Sequence, residues 1–282
     1  MTKTTSSPTR FTLPKLTYRV WKVWRRNFDV FMKTIRVNFL PSLLEPILYL
    51  VALGFGLGAL VNTVDGVSYV KFIAPALVAI SIMNGSFFEC TFASFVRMYY
   101  QKTFDAIIAT PVSVEEVIGG ELLWGATRAT INSTIVLLVV AAFGLVSSPL
   151  FLIVIPLAFL GGLMFASIAM CFTAIAPNID FFNYPTFLLV SPMFLLSGTF
   201  FPLSQMPQLV QVAALVFLPL THVVNITRWL VLGAVDVNLL LIGVGVVWIV
   251  VATAVFFILS INLMKKRLTN KTMIPLASAI IR

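Results

Sequence analysis

The sequence predicts an all-α integral membrane protein: six transmembrane helices, an amphipathic connecting helix before the first, and a re-entrant helical element before the last. Composition is one reason. Of 282 residues 60% are hydrophobic and 10% charged, and the mean hydropathy is +1.03, whereas a soluble domain carries about 25% charged residues. So few charges cannot clothe a water-facing surface, and the same figures exclude disorder and a disulfide-stapled secreted scaffold. A second reason is the recurrence of apolar runs near the ~20 residues that a membrane helix needs. The third is where the basic residues fall. Residues 1–38 hold Lys3, Arg10, Lys15, Arg19, Lys22, Arg25, Arg26, Lys33 and Arg36 against one acid, Asp29, and the tail holds Lys265, Lys266, Arg267, Lys271 and Arg282 with none. Basic flanks of membrane segments stay inside, which puts both termini in the cytoplasm and makes the number of spans even. The same flanks are read as membrane-facing rather than as a nucleic-acid footprint, so the lipid bilayer is an expected partner and nucleic acid is not.

Along the chain, residues 1–14 read as a flexible arm. Over 15–38, Lys15, Arg19, Lys22, Arg26 and Lys33 are spaced 4, 3, 4 and 7 and share one helical face, with Val20, Trp24, Phe28, Phe31 and Ile35 opposite. Such a helix lies in the headgroup plane, cations toward lipid phosphates and aromatic rings in the boundary. The six-helix domain spans 39–264. Its first span is expected at 39–61, closed by Asn62, Asp65 and Gly66, and its second at 70–96, ending at Arg97. A polar cytoplasmic segment, 97–121, follows. Spans three to five are expected at 122–145, 151–176 and 182–201, and the last at 238–263, before the cytoplasmic tail 265–282. This frame leaves only Lys71 and Arg228 of the nineteen basic residues toward the outside. Residues 202–237 are too apolar for an exposed loop, yet Pro219 interrupts them, so 208–232 fits a re-entrant pair better than a full crossing. Charge alone leaves eight spans open.

Motifs for chemistry are scarce. No GxxxxGK[ST] phosphate loop, HExxH or GxSxG is present, there is one histidine, His222, and Cys90 and Cys171 sit in apolar runs as small core residues. No catalytic, metal or cofactor site is expected. Gly54, Gly56, Gly58 and Ala59 mimic a dinucleotide fingerprint, but they lie inside an apolar span, where small residues let helices approach closely. The informative residues are ionisable groups within spans: Glu45, Glu89 and Arg128, each roughly 9–12 Å from the cytoplasmic boundary at 1.5 Å per residue. Charges at that depth pair or face the protein interior. A Glu89–Arg128 ion pair with Glu45 nearby is expected, either lining a translocation path or only fixing helix packing. In the polar segment, Asp105 suits a helix N-terminus, Phe104, Ile107 and Ile108 share a face at i, i+3, i+4 spacing, and Pro111 stops the helix. An apolar face on a short cytoplasmic helix asks for a partner.

At these residues the chain resembles the membrane subunits of ABC-2 type exporters, in particular the nodulation (NodJ-like) and daunorubicin-resistance permeases. The resemblance rests on the T-F-D-x-I-x-A-T-P-V segment 103–112 followed by Glu115 to Leu123, on Ser197-Gly198-Thr199-Phe200-Phe201-Pro202 with Met206-Pro207, and on Pro219-Leu220-Thr221-His222-Val223-Val224 leading to Arg228. It covers about residues 15–265. His222 stands where relatives often carry an aromatic residue. The resemblance implies a homodimeric permease of the bacterial inner membrane that moves an amphipathic molecule, such as a lipo-oligosaccharide, glycolipid or hydrophobic drug. It also implies two copies of a separate ATPase subunit, which would bind ATP-Mg and dock on the connecting helix and on a coupling helix. Phe104, Asp105, Ile107, Ile108, Thr110 and Pro111 would form the latter, and Glu89 and Arg128 would match an acid and base paired between spans two and three. From another class, a stand-alone channel or ion-coupled carrier is the alternative; a carrier of that kind should show inverted repeats and broken midplane helices.

Overall fold

The computed structural model describes residues 13–61, 63–64, 66–233 and 239–269. Most of the N-terminal arm 1–14 and the tail beyond Thr269 lie outside the described residues, as do Asn62 and Asp65. The chain is helical nearly throughout: α1 (Arg19–Lys33), α2 (Ile35–Val51), α3 (Tyr69–Tyr100), α4 (Thr103–Ile108), α5 (Val114–Ala142), α6 (Pro149–Ile175), α7 (Ile179–Leu196), α8 (Gln208–Phe217), α9 (Pro219–Leu232) and α10 (Leu239–Thr269). A two-stranded hairpin, Thr63–Val64 against Val67–Ser68, turns through Gly66 at φ 77°. Helices α3, α5, α6, α7 and α10 are each long and apolar enough to cross a membrane.

Three boundaries differ from the sequence expectation. The connecting helix ends at Lys33, not 38, and a single residue, Thr34, separates it from α2. The first span is less regular than expected. Its apolar part is Leu43–Gly54, and a π-helical turn, Ala52–Leu57, follows Val51. The polar segment is also shorter than 97–121. Helix α3 runs to Tyr100 through two π-helical stretches, Glu89–Ala93 and Val96–Tyr100, and α5 already begins at Val114. A capping box starts α5. The Ser113 N–H donates to Glu116 Oε2 at 2.7 Å and the Glu116 N–H donates to Ser113 Oγ at 3.2 Å, satisfying two of the N–H groups a helix start leaves open.

Helix α3 is the most enclosed, packed between α5 and α6, and α10 lies along α6. Small residues permit this. A Cβ on Gly162 would stand 2.7 Å from Ala129 Cβ and 3.2 Å from Ala126 Cα, and one on Gly125 would stand 2.5 Å from Cys90 Sγ. Helix α1 does not rest its apolar face on lipid alone. Val20, Val23, Asn27 and Phe31 are buried, and a Cβ on Gly120 of α5 would strike Val23 Cβ at 2.5 Å. Trp24 Nε1 donates to Thr127 Oγ1 at 2.9 Å. The helix is docked on α5, with Trp21, Val30 and Met32 left exposed.

The α8–α9 pair bends by 93°. Pro219, the first residue of α9, favours the break. The far end of α9 is tied to the same end of the bundle as the hairpin. Ser147 and Ser148 N–H groups donate to Val231 O at 2.9 and 3.1 Å, and Arg228 donates to Gly198 O at 2.8 Å while lying over the Phe72 ring at 4.0 Å. Deeper in the bundle, His222 stacks on Trp248 at 5.0 Å and its Nε2 hydrogen-bonds Leu215 O at 2.9 Å. A bend of this size fits the re-entrant element expected from the sequence and equally a broken span. Single cysteines replacing Gln208 and Leu239, in a background without Cys90 and Cys171, should both react with a membrane-impermeant thiol reagent applied from the same side. Labelling from opposite sides would make the pair one broken span.

Candidate functional site

At the end of the bundle opposite the hairpin, here the basic end, α1, α3 and α5 enclose a network of charge. Glu121, fully buried in the second turn of α5, is its hub. Its Oε1 accepts from Asn27 Nδ2 at 2.7 Å. Its Oε2 accepts from Ser94 Oγ at 2.7 Å and from Arg97 Nη2 at 2.6 Å and Nε at 3.0 Å. Arg97 Nη1 reaches back to Glu89 Oε1 at 2.8 Å, which also accepts from Trp124 Nε1 at 2.9 Å. A fork of guanidinium N–H groups bridging two carboxylates is what a buried charge needs to offset lost hydration.

The sequence suggested Arg128 as the partner of Glu89; the structure brings Arg128 to the same cavity and gives Glu89 a hydrogen-bonded ion pair with Arg97. The π-helical stretch Glu89–Ala93 explains how Arg97 reaches Glu89. Eight residues of α-helix rotate by roughly 80° beyond two turns, but a π turn absorbs one extra residue, so Glu89 and Arg97 stand about seven apart in phase, on one face. Arg128 guanidinium lies over the Phe31 ring at 4.5 Å. Glu45 does not join the cluster either. It is exposed on the chain's surface, at the edge of a small cavity of about 70 Å³ shared with Tyr49, Ser81, Asn84 and Asn132. Asn84 is five residues from Glu89 along α3, roughly 7–8 Å further into the bundle.

A larger, open cavity of about 470 Å³ lies over the charged network. Arg26, Arg97, Arg128, Glu89 and Gln101 line it, together with Phe31, Phe88, Phe92 and Trp124. Burial pulls the Arg26 guanidinium below its ordinary range, Glu121 opposing that pull; it stays charged at neutral pH.

Beyond this layer a second set of contacts ties the basic end together. Glu115 Oε2 accepts from the Lys15 N–H at 2.6 Å and its Oε1 from Lys265 Nζ at 2.6 Å. Glu116 accepts from Thr17 Oγ1, and Arg19 donates to the Pro111 carbonyl. One turn of α5 thus holds the segment before α1, the α4–α5 loop and the end of α10. Helix α4 lies in this assembly with a face different from the expected one. Phe104 is fully buried in the core, and Ile107 and Ile108 are half-buried against it, while Asp105, Ala106, Ala109, Thr110 and Pro111 are exposed. The i, i+3, i+4 stripe anchors the helix to the bundle.

Arg97 and Glu121 were legible only as the borders of a polar segment. Ser-x-x-Glu at 113–116 signals that α5 starts early and carries Glu121 inward.

Comparison with known proteins matches residues 18–232 to the model of the ABC-2 type transporter family. Nodulation protein J of Rhizobium meliloti (strain 1021) is 38% identical over 246 residues, 87% of this chain and 92% of the relative. Nodulation protein J of Bradyrhizobium diazoefficiens is 39% identical over 216 residues, 77% and 82% of the two chains. The inner membrane transport permease YadH of Escherichia coli (strain K12) is 24% identical over 230 residues, 81% and 89% respectively.

Proposed function

This chain belongs to the ABC-2 type transporter family, and from that premise we propose that it is the permease half of an ATP-driven exporter of an amphipathic molecule, working as a homodimer with two copies of a separate ATPase subunit. ATP-Mg is bound by that partner. The observation that carries the reading is the built basic end: α4 is anchored by Phe104, and its exposed residues, Asp105, Ala106, Ala109, Thr110 and Pro111, are presented beside α1 by the Glu115–Glu116 contacts. A rigidly held short helix facing water is suited to take force from a soluble motor. The charge bias supports a cytoplasmic basic end, hence both termini on the cytoplasmic side of the bacterial inner membrane.

Exposed Glu45 supports the second copy. A carboxylate inside an apolar span faces a partner or a water-filled path rather than lipid, and the amide, hydroxyl and phenol groups beside it suit a path for polar parts of a cargo. The family resemblance supports, as part of the same reading, outward transport of a lipo-oligosaccharide, glycolipid or hydrophobic drug.

Ala106→Asp with Ala109→Asp should reduce ATPase co-purification at least about tenfold, the effect of placing unpaired like charges in a contact, while the permease still inserts and folds. Undiminished ATPase capture would sink the docking assignment. Transport that continues without any ATPase would favour a stand-alone channel or ion-coupled carrier.

A further inference from the structure

We propose that Glu45 and the small cavity behind it form a subsite for the protonated amine of a cationic amphiphile, whose apolar body lies in the groove along Leu44, Leu48 and Ala52. That such a molecule is cargo rests on the export reading; that it binds does not.

Two hollows meet at Glu45 and Tyr49, which share a face one turn apart on α2. The inner one, about 70 Å³, adds the polar side chains of Ser81, Asn84 and Asn132. The absence of a side chain at Gly85 brings α5 close here, since a Cβ would stand 3.1 Å from Ala129 Cα and 3.2 Å from Asn132 Nδ2. The outer hollow, open and about 510 Å³, adds only Leu44, Leu48 and Ala52, which recur every fourth residue along α2. Size limits what each can take. Sites for whole small molecules run to about 300–1,000 Å³, so the inner hollow admits a headgroup and the outer groove takes the rest. Charge sets the sign of that headgroup. Glu45 carries the only formal charge in either lining, and among the described residues it makes no ion pair. Arg128, one turn from Asn132 on α5, lines the neighbouring cavity beside Glu89 and not this one. A carboxylate within an apolar span is costly until an opposite charge reaches it, so an arriving ammonium meets a charge that the lining leaves open. Its three N–H donors match the Glu45 carboxylate and the oxygens of Ser81 and Asn84. Tyr49 and Phe194 place aromatic rings in the same wall, which attract a cation more than a neutral hydroxyl. Carboxylate, amide and ring together therefore favour an amine over a sugar at this position.

The test uses the full chain in phosphatidylcholine nanodiscs with a diazirine-bearing dodecylamine, its attachment site read by peptide mass spectrometry after irradiation. In wild type the label should fall within Leu43–Gly54 and be displaced by dodecylamine, but not by dodecanol or dodecyl maltoside. Glu45→Gln should weaken labelling about tenfold or more, the effect of losing one charge-assisted hydrogen bond, and Glu45→Asp should keep part of it. Tyr49→Phe should stay within about twofold of wild type while Tyr49→Leu falls further, because the ring and not the hydroxyl faces the cation. Asp180→Asn removes an exposed acid elsewhere on the chain and should change nothing. If Glu45→Gln does not fold, the displacement series on wild type carries the test. Displacement by dodecanol as strong as by dodecylamine, undiminished labelling of Glu45→Gln, or an equal loss in Asp180→Asn overturns the proposal. With the ATPase bound, amine labelling at Glu45 that ATP leaves untouched keeps the subsite and sinks the export reading. ATP-driven export that treats neutral and cationic amphiphiles alike, and persists in Glu45→Gln, keeps the export reading and sinks the subsite.

Discussion

Glu121→Leu is expected to cost the bundle about 3–5 kcal/mol, the range for removing one partner from a buried ion pair. Asn27, Ser94 and Arg97 all donate to that carboxylate, so the substitution strands three donors at once. Arg97→Leu should be comparably harmful, since it leaves Glu89 and Glu121 facing each other in a low-dielectric layer without the cation between them. The double variant should recover part of the loss, and adding Glu89→Gln should recover more. Arg128→Leu should cost less than Arg97→Leu, because Arg97 is the cation hydrogen-bonded to two carboxylates at once. The readout is the fraction of protein that stays monodisperse in detergent after graded heating. Strictly additive losses for Arg97 and Glu121 would show that the pair is not coupled.

Gly162→Leu is expected to yield no folded protein. Even the Cβ of alanine would meet Ala129 Cβ at 2.7 Å and the Ala126 carbonyl at 3.2 Å, and both neighbours lie on α5, whose backbone cannot retreat without dragging Glu121 and Trp124. Gly162→Ala should cost about 1–3 kcal/mol, as overpacking does. Gly56→Ala serves as the control, because nothing lies within 4 Å of the added atom. Equal stability of Gly162→Ala and Gly56→Ala would refute close packing of α5 on α6.

These two sites show what the sequence discloses and what it withholds. Apolar run length located α3, α5, α6, α7 and α10, and Pro219 marked the break that bends α8 against α9. Basic spacing found α1, though the face it buries includes Asn27, which no hydrophobic pattern selects. Ion pairing within α3 was hidden because a π turn leaves no compositional trace, and one inserted residue rotates everything after it. Arg97 therefore read as a boundary charge and not as the centre of a network. The reading of Phe104 erred differently. Spacing says which side chains share a face but not whether that face looks toward a partner or toward the protein's own core, and on a six-residue helix the core wins, because anchoring so short a helix requires tertiary contacts. Glu45 was placed at the depth of Glu89 and Arg128, but depth counted from a span's nominal end is only as good as that end, and α2 begins at Ile35.

The contact of Lys265 with Glu115 has a consequence in time. The two residues are 150 positions apart, and Lys265 lies on a helix that is synthesised well after Glu115. Until α10 has entered the membrane, Glu115 holds the Lys15 N–H but lacks Lys265, and the turn that gathers Lys15, Thr17 and the α4–α5 loop is unfinished. An incomplete chain, however well its earlier helices have inserted, offers no finished platform to a partner. The molecule thus defers this part of its assembly until α10 has been made, and a copy cut off before α10 excludes itself.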